Sequence, residues 1–139
     1  MVKAGLVVVA RLAPAFAEAG PWRPLVVGAG LASLIVGGVN AMRQQDAKLA
    51  LAHGTVSQLG FLMVLLGYGT AATTYAGVAM LVAHALFKAS LFLCVGVVDH
   101  EAGTRDMRRL RGLRRALPVT ATALIVAAAS LAALPPTFG

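Results

Sequence analysis

The chain has 139 residues, of which 59% are apolar and 12% charged, with a net charge of +7 and a mean hydropathy of +0.83. A soluble domain carries about twice that charged fraction, so the composition excludes an ordinary soluble domain and points to an integral membrane protein. Nucleic acid is not an expected partner, because six arginines crowd into one stretch, Asp99–Arg115, and no aromatic-rich basic face accompanies them.

In chain order, the first segment, MVKAGLVVVARL, ends at Pro14, and its apolar run Ala4–Ala10 is too short to span a bilayer. It has no persuasive signal-peptide pattern, so Met1 reads as an internal methionine of a chain that opens midway through a helix. The expected spans are 1–13, 25–42, 47–67, 76–98 and 117–134. Trp22, in the first loop, suits a membrane interface. The second span repeats small residues at Ala29, Ser33 and Gly37, a spacing that favours close helix packing. Its run Gly28–Ser33 superficially resembles a dinucleotide loop but follows no strand, and packing is the better reading. The third span has a polar first half, with His53, Thr55, Ser57 and Gln58. These side chains either line a hydrated path or bond back to carbonyls one turn earlier.

The fourth span, AGVAMLVAHALFKASLFLCVGVV, holds two basic residues in 23, with no carboxylate, arginine or proline. Lys88 is the thirteenth of them, too deep to snorkel easily, and His84 lies one turn earlier on the same face. A lysine at such depth costs about 2.5–3.5 kcal/mol on insertion scales and by default marks a function. The loop after it, residues 99–116, is strongly basic, and MRRLRGLRR within it predicts an amphipathic surface helix. Arg43 and Lys48 fall on the same side as this loop, so the positive-inside rule places residues 43–48 and 99–116 in the cytoplasm of a multi-pass cell-membrane protein.

All five carboxylates, Glu18, Asp46, Asp99, Glu101 and Asp106, read as loop or span-end residues. A sodium site built of hard oxygen ligands is therefore not expected within these spans. Protonatable nitrogen remains: Lys3, His84 and Lys88, with Lys48 at a span end. Lysine gives up its proton more readily once desolvated, and histidine titrates near neutrality. These residues form a candidate proton relay; His53 and His100 are not assigned to it. Cys94 is the single cysteine and can form no internal disulfide. No metal-ligand, cofactor or nucleophile–base pattern occurs, so no cofactor and no enzymatic chemistry are expected.

MVKAG, QQDAK followed by TVSQLG, HALFKASLF, DHEAGTRD and the closing LPP occur in the order found in antiporter-like membrane subunits. The chain therefore resembles, over essentially its whole length, the large subunits of Mrp-type multisubunit Na⁺/H⁺ antiporters and their relatives in respiratory complex I. VDHEAGTRDMRRL is most similar to the large A-type subunits of the Mrp group. The resemblance implies an all-α polytopic helix bundle, an internal piece covering about helices eight to twelve of a core of about fourteen in inverted repeats. It implies that Lys3 matches the lysine bridging two half-channels and that Lys48 matches the lysine of a D-x-K motif. His84 and Lys88 match the second histidine and the lysine of HxxxHAxFK. The implied partners are other antiporter subunits, the remaining helices of the same polypeptide, the lipid bilayer and protons, with Na⁺ handled by the whole complex. Three positions depart from the pattern: Met80 replaces the first histidine, AHGT stands for AYST at Ala52–Thr55, and Leu49 replaces an arginine. The alternatives are a membrane subunit of complex I or of a membrane-bound hydrogenase, and, in another class, a small non-transporting membrane protein.

Overall fold

A computed structural model describes residues 3–16, 18–110 and 112–135. Among these residues the chain is all-α, as expected, with helices α1 (Ala4–Phe16), α2 (Trp22–Arg43), α3 (Ala47–Gly67), α4 (Ala71–Ala102), α5 (Leu113–Ala116) and α6 (Pro118–Leu131). Helices α2, α3 and α4 are long and apolar enough to cross a membrane, while α1 and α6 are apolar but shorter. The five expected spans thus become three full-length helices and two short ones. The chain divides into two compact units, Met1–Val39 with Gly54–Leu81, and Asn40–His53 with Val82–Gly139.

Local chemistry sets the helix ends. The Asp46 carboxylate accepts the Lys48 and Leu49 amides at 2.8 and 3.1 Å, the N-cap that starts α3. The Thr70 hydroxyl accepts the Thr73 amide at 3.3 Å and starts α4 at Ala71, five residues before the expected span begins. Gly103, in the left-handed region at φ 61°, ends α4. At 32 residues α4 is about 48 Å long, well beyond the ~30 Å of a hydrocarbon core. Two further boundaries differ from expectation. Helix α1 runs through Pro14 and ends two residues beyond it, at Phe16. Among the described residues of the MRRLRGLRR stretch, Gly112 takes φ 74° and only the short helix Leu113–Ala116 forms. Backbone bonds from Ala47 to Arg105 and from Met107 to Gln45 hold residues 105–107 beside the start of α3, and the chain turns directly after them, with the Arg109 amide bonded to the Asp106 carbonyl.

In the first unit, Leu6, Leu62 and Leu66 form an apolar cluster, flanked by Ala10, Leu59, Met63, Met80 and Leu81. Helices α2 and α3 approach at glycine, where an added Cβ at Gly60 would lie 2.5 Å from both the Gly30 carbonyl oxygen and the Leu34 amide nitrogen. The buried residues of α2 are Val26, Gly30 and Gly37, so the packing stripe passes through Gly30 while the expected Ala29 faces outward. The Ser57 hydroxyl donates to the Leu34 carbonyl on α2 at 2.8 Å, a bond across helices rather than back along its own. The Trp22 indole N–H caps the Gly67 carbonyl at the end of α3 at 3.1 Å and stacks on Phe16 at 5.5 Å.

Gly60→Ala should therefore destabilise the protein by about 1–3 kcal/mol, because the atoms in the way are backbone. Gly28→Ala, whose Cβ would meet nothing within 4 Å, should be neutral or slightly stabilising. Thermal unfolding of the two variants in detergent checks the contrast.

Candidate functional site: a buried basic face on α4

In the second unit, α4 buries Ala83, His84, Phe87, Lys88, Leu91, Cys94, Val95 and Val98, a stripe at helical spacing. Two of these side chains are ionisable: His84 is 1% exposed and Lys88 6%. Lys88 is 17 residues from the start of α4 and 14 from its end, so neither end lies within reach of its stem. Its ammonium donates instead to the Leu51 carbonyl of α3 at 2.9 Å. A carbonyl has two lone pairs, so one can take the ammonium while the other serves the helix. The His84 ring packs against Phe87, with centroids 5.4 Å apart and planes tilted by 53°.

Eleven residues, about three turns, separate Lys88 from Asp99, which puts both on one face of α4. The Asp99 Oδ2 accepts from Lys48 Nζ at 3.0 Å and from Arg105 Nε at 2.7 Å. These two cations, Arg105 foremost, hold the Asp99 carboxyl below the usual carboxylate range, and Asp99 in turn raises Arg105. Next to it, Asp106 accepts both the backbone amide and the guanidinium of Arg108, which lowers the Asp106 carboxyl likewise.

Two of the four predicted relay residues, His84 and Lys88, lie on the same buried face. Lys48 sits at the charged end of the second unit, paired to Asp99 and 37% exposed. Lys3 belongs to the first unit, where its ammonium faces the Leu81 carbonyl at 3.4 Å. Sequence reading sets Asp99 aside as a span-end carboxylate and gives Arg105 no separate role. The available signal is the eleven-residue spacing from Lys88, visible only once α4 is known to continue through Ala102. Among the described residues no cluster of three or more His, Cys, Asp or Glu side chains could hold a metal ion.

These features define a polytopic α-helical membrane protein with a lysine and a histidine buried in its longest helix. The fold and the comparisons with known proteins agree on what kind. The chain belongs to the NADH:quinone oxidoreductase/Mrp antiporter transmembrane family, whose model matches residues 1–139. It is 46% identical, over 98% of its length, to the A-type polypeptide of the Na⁺/H⁺ antiporter of Alkalihalophilus pseudofirmus. It is 47% identical, over 97% of its length, to the A/B-type polypeptide of a probable K⁺/H⁺ antiporter of Rhizobium meliloti. The structure of the Mrp complex from Dietzia sp. contains a polypeptide that superposes on all of this one with a TM-score of 0.94 and 46% identity. The match spans 19% and 14% of the two relatives and 15% of that structural chain.

The Asp99 pairs give a pH dependence of definite sign. A carboxyl whose folded value is depressed contributes stability that is fully present above its unfolded value, about 3.9, and is lost as pH falls through the lowered folded value. Acid unfolding of the protein should accordingly be less steep in Asp99→Asn. Equal acid sensitivity of the two proteins would show that the pairs contribute nothing to stability.

Proposed function

We propose that this chain carries protons across the cell membrane as part of an Mrp-type multisubunit cation/proton antiporter, with residues 43–48 and 99–116 on the cytoplasmic side. The observation that carries the reading is Lys88: an amine buried at 6% exposure in the middle of an apolar 32-residue helix, with His84 one turn away on the same face. Each can take up and release a proton, and the Leu51 carbonyl stabilises the ammonium when Lys88 holds one. Protons pass between Lys3 and Lys88 through water, with His84 as intermediate and Lys48 at the cytoplasmic end. A proton arriving at one amine favours loss from the next by like-charge repulsion, which is strong where solvation is poor.

The proton is also what the two relatives' names have in common. One is named for Na⁺/H⁺ and the other for K⁺/H⁺, at nearly equal identity to this chain. That supports assigning the proton side of the exchange to this segment and the choice of metal cation to other parts of the complex. The partners are accordingly the bilayer, the other antiporter subunits and the remaining helices of the same polypeptide.

Lys88→Ala in the full-length antiporter should cut cation/proton exchange by on the order of a hundredfold or more, with normal protein level in the membrane. The readout is growth of an antiporter-deficient host in high Na⁺ or at alkaline pH, together with exchange in everted vesicles. Near-normal tolerance and exchange would sink the assignment.

A further inference from the structure

Two cavities in the second unit lie outside the buried basic face and adjoin one another. The first, about 240 Å³, is lined by Glu101 and Ala102 at the end of α4, Thr104, Arg109, Leu110, Leu113 and the α5–α6 junction. The second, also about 240 Å³, is almost wholly apolar and is lined by Val95, Val98, Met107 and Leu124 among others. Thr104, Leu110 and Leu113 line both. A polar chamber opening onto an apolar one has the form of a site for an amphiphile.

Charge and depth agree with this. Asp99 is taken by Lys48 and Arg105, and Asp106 by Arg108. Arg109 lines the polar chamber, and the exposed Arg114 and Arg115 lie on α5 between its lining residues Leu113 and Ala116; none of the three forms an ion pair among the described residues, although Arg109 also acts on Asp106 at longer range, which leaves a cationic surplus on this stretch. Val95 and Val98 are the last apolar turns of a membrane-length helix, and Glu101 and Thr104 follow them. The apolar chamber is thus on the hydrocarbon side and the polar chamber at headgroup level.

We propose that the junction of α4, the basic loop and α5–α6 binds an anionic phospholipid, with its phosphate at Arg109 beside Arg114 and Arg115 and an acyl chain in the apolar cavity. Glu101 shares the polar chamber and opposes the phosphate, so it moderates the affinity. The inference does not depend on the proton-relay reading.

Native mass spectrometry of the complete antiporter complex tests it, after purification in detergent and addition of phosphatidylglycerol or phosphatidylcholine. The unaltered complex should retain a phosphatidylglycerol that the Arg109→Ala/Arg114→Ala/Arg115→Ala variant loses, with affinity falling about fivefold per arginine removed. Met107→Trp, which narrows the apolar chamber at an exposed position, should lose the same lipid, and Glu101→Gln should bind it more tightly. Unchanged retention by the triple variant, equal retention of phosphatidylcholine, or displacement by millimolar inorganic phosphate would each overturn the proposal. Lipid retention is read without transport, so its outcome is separate from that of Lys88→Ala.

Discussion

The second unit depends on one hydrogen bond, from the Lys88 ammonium to the Leu51 carbonyl. An amine midway along an apolar helix cannot reach water along its own stem, so a partner must be brought to it. That partner is a backbone carbonyl in the first turns of α3, which requires the start of α3 to lie against the middle and end of α4. The charged groups at that end serve the requirement. Asp46 caps α3 and fixes where it begins, and Lys48, two residues on, pairs with Asp99 eleven residues beyond Lys88. The backbone bonds from Ala47 to Arg105 and from Met107 to Gln45 tie the loop to the same place. Each exposed ion pair contributes little alone. Their effect lies in convergence, because two cations from different parts of the chain share one oxygen of Asp99.

The two residues of the Asp46-Ala47-Lys48 motif therefore do different work. Asp46 contributes through backbone amides and shapes the helix end, whereas Lys48 contributes charge to the Asp99 cluster. Lys48, partly exposed and ion-paired, meets a different dielectric from Lys88, which is buried and bonded to a carbonyl.

Much of this is legible in the sequence. Low charge, long apolar runs and a lysine in the middle of one of them identify the membrane class and the central residue, because both follow from solvation energies that act on composition alone. The start of α4 is not legible from hydropathy, since it rests on a threonine cap outside the apolar run, and its end rests on a glycine beyond it. Without those ends Asp99 falls in a loop and its register with Lys88 is hidden. The small-residue repeat announces close packing of α2 and its Ser33 and Gly37 lie on the packed side, but at its first position Gly30 is buried in place of Ala29, since both are small and contact geometry alone decides between them. The arginine-rich stretch has helical periodicity, yet backbone bonding to the α2–α3 junction and the left-handed Gly112 outweigh it.

Met80 shows how one substitution can redraw such a face. It falls where the resembled pattern carries a histidine, and here it packs beside Leu6, Leu62 and Leu66 in the first unit's apolar cluster. A thioether is content among leucines, while an imidazole there would need a hydrogen-bond partner that those leucine side chains cannot supply. The methionine thus adds packing where a titratable group would have carried a desolvation cost. The buried ionisable side chains of α4 are then His84 and Lys88, both past the first unit's apolar cluster and on the stretch that faces the capped start of α3. They lie four residues apart, and the Lys88 ammonium is held by the Leu51 carbonyl, with no third buried ionisable side chain upstream on α4 among the described residues.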